Sequence, residues 1–132
     1  MARGLHDTDG WYWYLRADGA APDGMAVVTN QAAAYQVTYA AQDIAVDTWK
    51  FVAFSRSGAS IRTFTNGVDN TTTAGTHIDP LTSNREVHIG IDDAEAAGFW
   101  DGQVWNPRIW ARYVNEWEWL EIFNMERHWF GV

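Results

Sequence analysis

Turn residues cut this chain into short aromatic and β-branched runs, and that punctuation points to a strand-based architecture. Asp18-Gly19, Pro22-Asp23-Gly24, Ser57-Gly58, Asn66-Gly67 and Asp79-Pro80 tolerate positive φ or fix φ near the value a turn needs. Strand-like runs lie between them. Trp11-Tyr12-Trp13-Tyr14-Leu15 sends large rings to both faces, as a strand covered on each side does. Short strands are predicted over 25–29 and 35–39. The apolar runs 51–54 and 61–64, separated by turn residues, predict a hairpin, and Asn66-Gly67 a further tight turn. Thr71-Thr72-Thr73 extends, and 86–91 alternates with Val87, Ile89 and Ile91 on one face. Strands recurring between turns, with one helix signature at the end, predict an all-β chain built as an antiparallel β-sandwich. No internal repeat or low-complexity linker interrupts it, so residues 1–132 read as one domain.

The helix signature closes the segment 99–123. From Trp100 through Gly102, Val104, Trp105, Pro107, Ile109 and Trp110 the residues are strand material, with Pro107 implying an edge or a bulge. The pattern changes at Asn115. Asn115 followed by Glu118 fits a capping box, in which the Asn oxygen accepts an orphan amide while Glu118 reaches back to the cap. Trp117, Leu120 and Phe123, with Trp119 and Ile122, then form a broad apolar face on one short C-terminal helix.

A chain of 132 residues is long enough for a core without staples, and with no cysteine it has no disulfide framework, thiolate metal site or Cys nucleophile. The formal charge of −8 argues against sequence-independent binding to nucleic acid or anionic lipid, which needs clustered Lys and Arg. The first ten residues hold no apolar core of a secretion signal, and no stretch reaches membrane-spanning length, so membrane insertion is not expected. Nine Trp is more ring surface than one small core requires. The excess is expected to bind something or to be buried against a neighbour.

Two motifs resemble a known family. Trp100-x-Gly102-x-Val104, followed by Arg108-Ile109-Trp110, Val114, Asn115 and Glu118, resembles the closing motif of laminin-G-like jelly rolls of the concanavalin A-like lectin/glucanase superfamily. Upstream, Trp49-Lys50-Phe51-Val52-Ala53 and Asn66-Gly67-Val68 are similar to that family's hairpin, and Ile89-Gly90 to a strand end between the two motifs. The resemblance implies a jelly-roll sandwich. It also implies strands ahead of the one that opens at Gly10-Trp11, where only ten residues are available, so the opening strands are expected to be missing or abbreviated. A sandwich short of strands exposes edges and apolar faces, and we expect a protein partner or another copy of the chain to cover them.

Few residues suggest catalysis. Glu116, Glu118 and Glu121 resemble the carboxylate signature of the superfamily's beta-glucanase branch, but retaining hydrolysis needs carboxylates on one face, which a strand gives at alternate positions. On a helix residues 116 and 118 diverge, and glutamates at a helix start are favoured by its dipole. We therefore expect no enzyme. Asp92, Asp93 and Asp101, with Glu95, form an acidic loop and are weak calcium candidates; no other cofactor is expected. His6, His77, His88 and His128 lack metal-ligand spacing, Asn70-Thr71-Thr72 is formally a glycosylation acceptor, and Ser57 and Ser60 lack a triad context. Trp100, Trp105, Arg108, Trp110, Trp11, Trp13 and Trp129 are the contact candidates, since Trp and Arg favour protein contacts and rings also stack on sugars. The reading is a non-catalytic interaction module of a larger assembly, such as a virion or cell-surface decoration protein. A carbohydrate-binding lectin is the alternative, with an extracellular or virion-surface place favoured.

Overall fold

A computed structural model of the chain describes residues 1–5, 8–16, 24–30, 34–41, 44–45, 47–91 and 98–132. In chain order the strands are β1 (Ala2–Arg3), β2 (Trp11–Leu15), β3 (Met25–Asn30), β4 (Tyr35–Ala40), β5 (Val52–Ser57), β6 (Ser60–Thr65), β7 (Val68–Asp69) and β8 (Thr71–Thr73). They form two antiparallel sheets, one ordered β1-β2-β3-β4-β8 and the other β5-β6-β7. One helix, α1 (Glu116–Glu126), follows and runs into a 3-10 turn, Arg127–Trp129. This is the antiparallel β-sandwich with a short C-terminal helix that the turn pattern and the capping box predict, and it agrees with the jelly roll that the family resemblance implies.

Register decides which rings meet. Trp11 pairs with Thr29 and Trp13 with Val27, while Val27 pairs with Thr38, so these side chains share one face of the larger sheet. That face looks toward the smaller sheet, where Phe54 lies 6.5 Å from the ring of Trp11 and 5.3 Å from that of Trp13. The opposite face carries Tyr12, Tyr14 and Tyr39, with the Arg16 guanidinium 4.6 Å from the Tyr39 ring centroid. β3 is buried along its length because both of its faces are covered.

The turns behave as their residues require. Gly58 (φ 58°) opens the two-residue loop between β5 and β6, and Asn66 (φ 52°) with Gly67 (φ 80°) makes the type I′ turn between β6 and β7. At Gly67 an added Cβ would sit 2.7 Å from the Leu120 Cα, so the glycine also lets the helix backbone lie on the turn. The chain changes sheets at Asn70. Its N–H donates to the Thr63 carbonyl at 3.0 Å, and its own carbonyl accepts from the Ala41 N–H at 2.7 Å. The next hydroxyl, Thr71 Oγ1, accepts from the Thr63 N–H at 2.9 Å.

The helix starts where the capping box places it. Asn115 Oδ1 accepts from the Glu118 N–H at 3.0 Å, and the Glu118 carboxylate accepts from the Asn115 N–H at 2.9 Å. Asn115→Ala is expected to cost about 1 kcal/mol, read as a lower urea midpoint with unchanged slope. Trp119 and Phe123 are the helix residues that become buried. Trp119 joins Ala53, Phe64 and Val114 in a core against which Phe51, Trp110 and Ile122 pack. Inside it, Trp119 Nε1 donates to Ser55 Oγ at 2.8 Å, and Ser55 Oγ donates to the Val114 carbonyl at 2.6 Å. The broad apolar face expected of α1 is narrower than predicted, since Trp117 is 78% exposed.

Two predicted strands do not form. Residues 98–114 are irregular: Asn106 has φ 49° and precedes Pro107, which has no N–H to give, so the run breaks at its centre. Their side chains pack on the C-terminal region instead. Trp110 lies edge-on to Trp119 at 5.3 Å, Trp105 lies against Phe130 at 5.9 Å and Trp129 at 6.1 Å, and Arg108 pairs with Glu126. The stretch 86–91 also forms no strand. Only His88 pairs, exchanging two backbone bonds of 2.8 and 2.9 Å with Ala2, because the abbreviated opening strand β1 is two residues long.

Candidate functional site

The sheets do not close on one another everywhere. Between them lies a cleft of about 1870 Å³, open to solvent, with Trp11, Trp13 and Val27 on one side, Val52 and Phe54 on β5, and residues 98–110 along the other wall. That wall is unusually apolar for a surface. Phe99 is 67% exposed, Ile109 64%, Trp105 55% and Val104 52%. Rings and aliphatics that a closed sandwich would cover stay in water because Asn106-Pro107 breaks the run while Arg108 and Trp110 anchor it to the helix and Trp105 to the turn beyond it.

Most of the contact candidates lie around this cleft. Trp11, Trp13, Trp100, Trp105, Arg108 and Trp110 line it, whereas Trp129, 58% exposed, stands behind Trp105. The Trp13 indole N–H is buried and has no hydrogen-bond partner among the described residues. Trp100 is held by its N–H, which donates to the Gly90 carbonyl at 2.8 Å, and Gly102 packs under the indole. Of the calcium candidates, Asp92 and Asp93 lie outside the described residues, as does Glu95, and Asp101 is exposed. Among the described residues no three His, Cys, Asp or Glu side chains group to hold a metal.

The helix glutamates sit apart from a shared reaction centre. Glu116 and Glu121 are exposed, and Glu118 is taken up by the cap and by Arg112, 2.8 Å away. The Arg112 bond, and then the Asn115 N–H, hold the Glu118 carboxyl below the usual carboxylate range. The Asn70 amide donates to Thr65 Oγ1 at 2.7 Å, so the formal glycosylation acceptor is engaged in the fold.

Sequence reading missed three features of the site. Phe54 is the ring on which both cleft tryptophans converge, and Trp49 stacks 4.5 Å from Phe130 at the far end. His77, with no exposed surface, holds the junction of the sheets: Thr29 Oγ1 is 2.8 Å from Nδ1, Thr38 Oγ1 2.8 Å from Nε2, and its N–H donates to the Ala59 carbonyl. An isolated histidine between Thr76 and Ile78 gives no spacing signal, so only the three-dimensional register exposes its role. Burial, and then the nearby Arg56 charge, push its imidazole down to about 4.

A two-sheet jelly roll with an aromatic cleft defines a lectin-like or structural sandwich module. The chain belongs to the concanavalin A-like lectin/glucanases superfamily, whose laminin-G-like profile matches residues 2–118. Domains of this kind often mediate protein or glycan interactions. No curated protein and no solved structure matches the chain. Among the described residues, no helix is long and apolar enough to cross a membrane.

Proposed function

We propose that the chain is a non-catalytic interaction module of a larger assembly, a virion or a cell surface being the setting, and that it holds a protein partner in the aromatic cleft. The observation that carries this reading is the exposed apolar wall at Phe99, Val104, Trp105 and Ile109. Small-molecule sites run to about 300–1,000 Å³, and this cleft, near 1870 Å³, is larger. Tryptophan and arginine are the residues that most often anchor protein contacts. The absence of catalysis is part of the proposal. It is supported by Glu118 serving as a cap while Glu116, about 200° around the helix from it, faces solvent. A glycan reading draws on one place, Trp100 beside the exposed Asp101, where a ring and a carboxylate are adjacent.

The test is to pan a random dodecapeptide library on the full chain and to titrate the selected peptides by tryptophan fluorescence. Enriched peptides are expected to bind wild type and to weaken about tenfold or more with Phe99→Ser plus Ile109→Ser, at unchanged melting temperature. Failure to enrich any peptide overturns the proposal, and binding on a glycan array then makes the occupant a sugar.

A further inference from the structure

The cleft contains an edge with the chemistry of one kind of occupant. β5 pairs with β6 from Val52↔Thr65 to Ser57↔Ser60, and among the described residues nothing pairs with its other side. A two-residue loop closes on a hydrogen-bonded pair, here Ser57 and Ser60, so Ser55 and Ala53 also exchange bonds with β6. The N–H and C=O groups of Val52, Phe54 and Arg56 therefore face the open side, and these same residues line the cleft. A six-residue edge presents about 20 Å of backbone.

Natural edges of this length carry proline, a bulge or outward charge that discourages pairing. β5 has no proline and no bulge, and its one charge, Arg56, is drawn back to the Gly58 carbonyl at 2.8 Å and to Asp79 at 2.9 Å. Alternating donors and acceptors along an extended backbone are matched by another extended backbone, not by a sugar. Charge narrows the partner further. Among the described residues the cleft lining holds five of the chain's nine Lys and Arg but only four of its seventeen Asp and Glu. The lining is thus near balance while the rest of the chain carries the whole acidic excess, a field that repels a second copy and draws basic segments elsewhere.

We propose that the free edge of β5 takes an added strand from a partner protein, an uncharged extended segment whose alternate apolar side chains enter the cleft toward Trp11, Trp13 and Phe54. This rests on the reading of the chain as a protein-binding module, and the experiment separates the two. The dodecapeptides selected on the full chain are remade in two series, N-methylated at odd or at even positions. An added strand points only alternate N–H groups at β5. One series is therefore expected to lose affinity about 100-fold while the other stays within a few-fold of the parent. Arg56→Pro removes an outward donor and leaves the β6-facing bonds, so it is expected to abolish binding with the fold intact. If this variant does not fold, the methylated pair decides alone.

Equal binding by both series overturns the added strand and leaves the module reading standing. Failure to select any peptide overturns both. A concentration-dependent dimer in sedimentation that disappears in Arg56→Pro makes the occupant a second copy and overturns the partner assignment.

Discussion

Trp119→Ala is expected to cost about 3–5 kcal/mol, enough to remove much of the stability of a domain this size. The indole does two jobs at once. It fills the space between Phe51, Phe64 and Trp110, with ring centroids 5.3 to 6.1 Å away, and its N–H begins the bonded path through Ser55 Oγ to the Val114 carbonyl. Truncation leaves a cavity and strips the Ser55 hydroxyl of its donor in a buried setting. Urea unfolding followed by far-UV circular dichroism measures the loss. Trp117→Ala on the same helix is the control, since that ring is 78% exposed and its removal should stay within about 0.5 kcal/mol. Equal losses at the two positions would contradict the packing described.

Acid is expected to weaken the sandwich through His77. The imidazole is neutral in the fold, with its proton affinity lowered from an ordinary value of 6.5 to about 4, whereas the unfolded chain charges near 6.5. Between those values the unfolded state binds more protons than the native one, so stability is complete above 6.5 and is lost as pH falls toward 4. At about 1.4 kcal/mol per pH unit, the loss between pH 7 and pH 5 is roughly 2 kcal/mol. The charged groups beside the ring explain why protonation finds no compensation. Arg56 is its cationic neighbour, and Asp79, two residues on, is paired with Arg56 at 2.9 Å. His77→Gln, which keeps a donor and an acceptor for Thr29 and Thr38, is expected to flatten the dependence of the urea midpoint across that interval. A wild-type midpoint unchanged from pH 7 to pH 5 would refute the assignment.

Local chemistry made much of this legible beforehand. Asn66-Gly67 takes the positive φ values its residues suggest, the Ser57-Gly58 region forms the hairpin, and Asn115 with Glu118 caps the helix reciprocally. The resemblance carried by Trp49 to Ala53 and by Trp100 to Glu118 pointed to the right superfamily. What failed is what sequence encodes through distant contacts. The residues from Trp100 to Trp110 have strand propensity, yet propensity describes a fit to a half-buried surface, and here Trp119, Phe130 and Glu126 provide that surface without a ladder. Trp117 and Trp119 are indistinguishable by type, and only the placement of Ser55 two strands away makes one of them core. Of the site, the tryptophans could be named in advance. Phe54 as their meeting point and β5 as an edge unpaired among the described residues could not, because both depend on which strand lies beside which.

The crossing at Asn70 sets how the molecule can deform. With its amide fixed to Thr63 on one sheet and its carbonyl to Ala41 beside the other, and with Thr71 bonded to the same Thr63, the two layers are stitched along this margin. Away from that margin His77 ties the layers as well, its ring bonded to Thr29 and Thr38 and its N–H to the Ala59 carbonyl, while the mouth between Trp11, Trp13 and Phe54 is held by ring contacts among the described residues. A segment entering between the layers is therefore expected to widen the mouth at Trp11 and Phe54, where rings alone meet, while the distance between Thr63 and Asn70 stays constant, as a book opens about its spine.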